Sequence, residues 1–332
     1  MHFDTCDIRI ERWPLRTPFR IARGAKTEAE LVTVTLEKAG ATGRGEACPY
    51  PRYGETPAST VAAIERALKA IESAPESATA RTALLDLPPG SARNALDCAL
   101  WDFEAKQTSI PVYKRAGLAP PAPVITCYTL SLDTPDAMAK AAREHADCQL
   151  LKLKLGDAPG DPARMRAVRR ARPDARLVAD ANEGWQARDL PALMDVAAEV
   201  QIEVVEQPLP AADDSALRGF ASPLPLCADE SAAPGTDLAA LTDRYQAINI
   251  KLDKTGGLTA ALTAIAAARS AGCRIMLGSM VSTSLSMAAA SHAAALADWV
   301  DLDSPLLLAR DRPYAMTITN GQLSTPNAAL WG

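Results

Sequence analysis

Between residues 124 and 302 the chain alternates short apolar runs with amphipathic stretches, and a run ends about every 25 residues. The apolar runs fall at 124–130, 150–155, 176–181, 202–206, 225–229, 247–252, 274–279 and 299–302. Helical spacing of apolar residues fills the gaps at 135–145, 162–172, 190–200, 237–242, 258–271 and 284–297, with only a weak element near 215–220. A strand–helix alternation of this kind forces parallel strands joined by right-handed crossovers. About eight such units predict a closed parallel barrel rather than an open sheet.

The first part of the chain follows another order. Strands are expected at 7–15 and 31–38, then helices from Ser59, as cap, to 72 and at 91–107. Residues 18–26 and 49–57 read as loops, and Gly40, Gly43 and Gly45 mark a turn and a tight segment after it. Pro120, Pro121 and Pro123 read as a linker. The expectation is an α+β domain over residues 1–120, a barrel over 121–309, and a tail, 310–332, that returns to the first domain.

The chain has 332 residues, a formal net charge of −5 and no long basic run, which argues against nucleic acid or an anionic membrane as partner. No apolar run is long enough to span a bilayer, and the first residues lack the basic-then-apolar pattern of a secretion signal. Seven cysteines (Cys6, Cys48, Cys98, Cys127, Cys148, Cys227, Cys273) are widely spaced without a C-x-x-C pair, which suits reduced thiols and a cytoplasmic location. The three histidines, His2, His145 and His292, are scattered and form no metal-binding pattern.

The chemistry concentrates at strand ends. Lys152 and Lys154 alternate with leucines and so share one face of the second strand. A bare K-x-K is more often an edge strand with lysines in water. Here, however, strand 1 ends near Thr129, strand 3 at Asp180, strand 4 at Glu206, strand 5 at Asp229, strand 6 at Lys251, strand 7 at Ser279, and strand 8 at Asp301 and Asp303. That end of a βα barrel is where active sites are built. One aspartate there is readily a helix cap. Three carboxylates on successive strands, with no histidine or cysteine beside them, are better explained as hard oxygen ligands for Mg²⁺. Lysines on strands 2 and 6 then face each other across the barrel, one placed to take a proton from carbon and the other to return one on the opposite face. Repulsion from Lys152 is expected to lower the pKa of Lys154.

The ordered segments KLKLG, VADANEGW, VVEQP, CADES and INIKLDKTGG resemble the muconate-lactonising subgroup of the enolase superfamily over essentially the whole chain. The resemblance implies an α/β fold, a (β/α)₇β barrel under an N-terminal α+β capping domain, and one Mg²⁺ per subunit on Asp180, Glu206 and Asp229. It implies Lys154 and Lys251 as the two acid/bases and Lys152 as their neighbour on the substrate carboxylate. The Asp301-x-Asp303 pair and the segments PFRIARGAK and PYPRYGE are similar to dipeptide epimerases that act on L-Ala-D/L-Glu. By that likeness Asp301 and Asp303 hold the substrate ammonium, and Arg23, or the nearby Arg20, takes the glutamate side-chain carboxylate. Thr129 and Ser279 complete the candidate substrate contacts.

The implied activity is a Mg²⁺-dependent isomerase of dipeptides such as L-Ala-L-Glu. The alternative is an N-acyl amino acid racemase, such as one for N-acetylglutamate, whose substrate offers Asp301 and Asp303 no cation. A lyase or lactonising enzyme could use the same lysines, and a catalytically silent barrel would need none of these charges. Relatives in this superfamily are often homo-oligomers, and no stretch of this sequence specifies an interface.

Overall fold

The structure of the protein, a computed structural model, describes residues 2–21, 24–72, 84 and 87–332. Its N-terminal sheet is antiparallel in the order β1 (Thr5–Ile21), β2 (Gly24–Lys38), β3 (Ala41–Ala47). The stretch 18–26, expected to be a loop, instead prolongs the hairpin, with Phe19 opposite Lys26 and Ile21 opposite Gly24. Pro14 and Pro18 bring no N–H to the ladder, and the register shifts between Pro14 and Phe19 before pairing resumes. The β2–β3 turn places Ala39 and Gly40 at φ 50° and 81°, as a tight hairpin turn of positive φ requires.

Gly43 and Gly45 are not in that turn. They lie within β3, where the missing side chains let α2 (Ser91–Thr108) approach backbone to backbone. A Cβ at position 45 would stand 1.9 Å from the Ala95 carbonyl oxygen, and one at position 43 would stand 2.3 Å from that of Ala99. Helix α1 (Pro57–Glu72) is capped by Thr56 rather than Ser59. The Ser59 N–H donates to Thr56 Oγ1 (3.0 Å) and the Thr56 N–H to Ser59 Oγ (2.9 Å), a reciprocal cap. Both faces of β2 are buried. Val32, Val34 and Leu36 pack with Ile64, Leu96 and Phe103, while Ala29 and Leu31 on the other face meet Cys48 and the barrel residues Met280 and Val281.

After a short helix α3 (Val112–Arg115) come β4 (Val124–Ile125) and β5 (Tyr128–Leu130), so the single strand expected at 124–130 is split. The barrel continues through α4 (Pro135–Glu144), β6 (Leu150–Lys154), α5 (Asp161–Ala171), β7 (Arg176–Asp180), α6 (Leu190–Glu199), β8 (Ile202–Glu206), β9 (Leu226–Ala228) and β10 (Ala247–Lys251). It ends with α7 (Leu252–Thr255), α8 (Leu258–Ser270), β11 (Arg274–Gly278), α9 (Ser284–Ser291), β12 (Trp299–Asp301) and α10 (Ser304–Leu307). Strands β5 to β12 form one eight-stranded sheet in sequence order, every neighbouring pair parallel. The ring is drawn shut by the Cys127 N–H on the Val300 carbonyl (2.8 Å) and the Leu302 N–H on Thr126 Oγ1 (2.8 Å). The weak element near 215–220 is a pair of 3₁₀ turns, and the helix expected at 237–242 is a 3₁₀ turn capped by Asp237. Strands β13 (Ile318–Thr319) and β14 (Gln322–Leu323) form a small sheet with β4. The last residues lie against α2, where Trp331 Nε1 donates to the Cys98 carbonyl and the Gly332 N–H to Asp102.

Alternation organises the interior in layers. Cys127, Leu150, Val178, Val204, Cys227, Ala247, Met276 and Trp299 form an apolar floor. Two residues further along each strand stand Thr129, Lys152, Asp180, Glu206, Asp229, Asn249, Gly278 and Asp301. Leu151, Leu153 and Leu155 point outward into the core between sheet and helices.

The N-terminal sheet is fastened over this polar end by buried charge. Glu46 accepts from Thr283 N–H and Oγ1 and from Arg312, which also reaches Glu11. Asp253, just after β10, accepts from the Cys48 N–H (3.0 Å) and from Asn94 Nδ2 (2.8 Å). None of the seven cysteines is in a disulfide; Cys6 is exposed and the other six are buried. Among the described residues no helix is long and apolar enough to cross a membrane.

Two outcomes follow from this packing. Gly45→Ala drives a methyl into the α2 backbone and should cost about 3 kcal/mol or more in urea unfolding, the upper end of overpacking; a loss below about 1 kcal/mol would contradict the close approach. Burial pushes Asp253 from 3.8 up to about 7, against the donors Cys48 and Asn94. A folded-state pKa raised this way gives stability that is complete below the unfolded value and is lost as pH rises through about 7. Asp253→Asn should therefore gain stability relative to wild type on going from pH 5 to pH 8, read from thermal melts at both; parallel pH curves would contradict it.

Candidate active site

The polar layer opens into a cavity of about 240 Å³ lined from the barrel by Thr129, Lys152, Lys154, Asp229, Lys251, Ser279, Asp301 and Asp303. Phe19, Ile21, Lys26, Tyr50 and Tyr53 of the N-terminal sheet and its following loop close the other side. The β1–β2 hairpin reaches over the barrel mouth and sets the Phe19 ring 5.8 Å from Lys154 Nζ.

Each inward lysine meets carboxylates. Lys152 Nζ, 1% exposed, lies 2.5 Å from Glu206 Oε2, 2.7 Å from Asp301 Oδ2 and 3.4 Å from Asp180 Oδ2. Its approach to Glu206 has ion-pair distance without hydrogen-bond direction, so Glu206 Oε2 has no directed donor. Lys154 Nζ is 2.6 Å from Asp180 Oδ2. The two ammoniums therefore share a carboxylate between them, and the bare repulsion expected from their spacing is screened. Lys251 Nζ is 2.7 Å from Asp229 Oδ2, and Lys254 Nζ is 2.8 Å from Asp229 Oδ1.

These pairings push neighbouring groups apart electrically. Burial would raise Asp180, but Lys154 and Lys152 hold it at about 2. Burial is likewise overcome at Asp229, which Lys251 and Lys254 keep well below the usual carboxylate range. Glu206 goes the other way, to about 7, because burial and then the Asp180 charge outweigh Lys152. Burial would lower Lys152 and Lys251, yet Asp301 and Glu206 raise the first, and Asp229 and Glu206 the second.

Asp180, Glu206 and Asp229 thus stand at the ends of three adjacent strands and feel one another's charge. Among the described residues no three such side chains are clustered as an assembled ion cage. Lysine ammoniums supply the positive charge instead. The donor set nevertheless fits a hard cation: it is all carboxylate and buried, and one oxygen, Glu206 Oε2, lacks a directed donor.

Asp301 ends β12 as expected. Asp303 does not share its strand; it precedes α10 at φ −89° and ψ 1° and accepts from the Thr129 N–H at 2.7 Å. Burial and Asp301 raise Asp303 to about 6. Both carboxylates still line the cavity. Ser279 Oγ donates to the Asp301 carbonyl at 3.3 Å. Arg20 is not brought to the site: its exposed guanidinium lies 3.7 Å from Asp133. Arg23 lies outside the described residues. Sequence reasoning assigned no role to Lys26, Tyr50, Tyr53, Asn249 or Lys254. Asn249 was findable, since it precedes Lys251 by two and shares its face. The aromatic wall was not, because no periodicity ties a loop residue to a barrel mouth.

Residues 4–117 match the family model for the mandelate racemase / muconate lactonizing enzyme N-terminal domain, and residues 136–329 match that for the enolase C-terminal domain-like fold. An L-Ala-D/L-Glu epimerase of Escherichia coli (strain K12) is 46% identical over 96% of this chain and 99% of its own length. An N-acetyl-D-glutamate racemase of Pseudoalteromonas is 42% identical over 91% and 95%. A crystal structure of an enolase family member from Agrobacterium tumefaciens with homology to dipeptide epimerases, with bound sodium and L-Ala-L-Glu, superposes with a TM-score of 0.94 at 44% identity. That match covers 98% of this chain and 99% of the other. A dipeptide epimerase from Enterococcus faecalis, complexed with Mg and L-Leu-L-Tyr, gives 0.88 at 30% identity over 99% of both chains.

Proposed function

The chain belongs to the mandelate racemase / muconate lactonizing enzyme family of the enolase superfamily, and on that footing we propose that it is a Mg²⁺-dependent dipeptide epimerase. The reaction is a 1,1-proton transfer that inverts the Cα beside the terminal carboxylate of Ala-Glu or a close analogue. The observation that carries this reading is a single cavity with Lys154 and Lys251 entering from strands β6 and β10.

Lys154 and Lys251 act on the two faces of that carbon, one taking the proton and the other returning one, with the roles exchanged in the reverse direction. Lys152, buried between them and the carboxylates, places a fixed positive charge against the substrate carboxylate. Asp180, Glu206 and Asp229 are the residues that would hold Mg²⁺. The bound ion would neutralise their charge and act as a Lewis acid on the substrate carboxylate. Asp301 and Asp303 receive the substrate's ammonium, and Thr129 fixes Asp303 through its N–H. Thr129 and Ser279 complete the wall, and Arg23 is the candidate for an acidic side chain on the second residue.

The Pseudoalteromonas relative supports a second reading, racemisation of an N-acylated glutamate. That substrate has no ammonium, and the paired carboxylates at the mouth would then face a neutral amide. Turnover of L-Ala-L-Glu and of N-acetyl-L-glutamate, followed by chiral chromatography with Mg²⁺ and after chelation, separates the two. The dipeptide should be preferred in kcat/KM by about tenfold or more, because the analogue brings no cation to Asp301 and Asp303, and chelation should abolish turnover. Faster turnover of the acylated amino acid, or full activity without a divalent ion, would contradict the proposal.

A further inference from the structure

The three carboxylates at the ends of β7, β8 and β9 are not held alike. Asp180 is fixed by Lys154, by Lys152 and by the Asn182 N–H. Asp229 is fixed by Lys251 and Lys254. Glu206 has one directed hydrogen bond among the described residues, from Asn249 Nδ2 to Oε1 at 2.6 Å, while its Oε2 lies 2.5 Å from the Lys152 ammonium without hydrogen-bond direction. Asn249 is 1% exposed and sits on β10 two residues before Lys251.

A second observation concerns the neighbouring strand. Gly278 ends β11, and a Cβ there would stand 2.5 Å from Asn249 Oδ1 and 2.9 Å from its Nδ2. The φ of Gly278 is not in the left-handed region, so the backbone does not demand glycine. What demands it is room for the Asn249 amide. Asn249 Oδ1 has no donor of its own, and its amide orientation is set by the acceptor it faces.

We infer that Asn249 is a positioning residue for Glu206, and that Gly278 exists to admit it. A neutral amide is suited to this task. It pins one carboxylate oxygen and brings no cation to compete for the other. Glu206 Oε2, 2.5 Å from the Lys152 ammonium, is thereby left without a directed donor. A lysine at position 249 would fix the carboxylate equally well but neutralise it. The inference rests on the reading of Glu206 as a metal ligand, and outer partners of metal ligands characteristically control affinity.

The test is calorimetric titration of Mg²⁺ into chelator-treated wild type, Asn249→Leu and Gly278→Ala, with circular dichroism confirming folded protein at the titration temperature. Leucine matches the branched four-heavy-atom skeleton of Asn249, with bulkier methyl ends, and removes the hydrogen bond; the three nearest neighbours of the alanine methyl would all be atoms of Asn249. Both variants should weaken Mg²⁺ by 10- to 100-fold, about the range for outer-shell losses, and their turnover should recover within a few-fold of wild type once Mg²⁺ is saturating. A purely structural role would lower the melting temperature without moving the Kd. A folded Asn249→Leu with wild-type Kd overturns the inference. A wild type that takes up no Mg²⁺ overturns instead the reading of the site on which it rests.

Discussion

Charge taken out of water must be paired, and the mouth of this barrel is arranged around that requirement. The floor of Leu150, Val178, Val204, Met276 and Trp299 excludes water from one side. On it stand Lys152, Lys154, Lys251 and Lys254, each within ion-pair distance of Asp180, Glu206, Asp229 or Asp301. The pairing is uneven. Two lysines hold Asp180 at about 2, whereas Glu206, with a neutral amide as its directed partner, rises to about 7. Neighbouring carboxylates are thus kept in different electrostatic states, which is the condition for a site that moves protons at neutral pH.

The N-terminal sheet is a working part of this arrangement. Arg312 ties Glu11 and Glu46 to Thr283, and Asp253 ties Cys48 and Asn94 to the residue two beyond Lys251. The same sheet sends Phe19 and Lys26 over the barrel mouth. In the proposed function the barrel therefore supplies the groups for proton transfer, while the cap shapes the space for a substrate side chain.

Much of this was legible in the sequence, for reasons that differ by element. The 25-residue βα period is about the crossover length of a parallel barrel, so eight strands could be counted. Alternation then carried Lys152, Lys154, Asp180, Glu206, Asp229, Lys251 and Asp301 to one interior layer or its rim. It failed at Asp303, because β12 stops at Asp301 and the chain turns into α10. It also missed the hairpin tip, whose prolines imitate a loop although pairing resumes beyond them. Gly43 and Gly45 read as a tight segment after the turn, but not as the seat of a helix, because a glycine under a helix and a glycine beside a turn are the same letter. The Glu46–Arg312 clasp joins residues far apart in sequence, which no local pattern reveals.

The central claim is that two lysines address one carbon from opposite sides. The direct measurement follows deuterium entering Cα of each epimer of Ala-Glu in D₂O by proton NMR, in wild type, Lys154→Ala and Lys251→Ala. Wild type should exchange both epimers. Each variant should lose epimerisation and retain exchange of only one epimer, a different one for each lysine. Exchange of both epimers in either variant, or loss of the same epimer in both, would contradict the account.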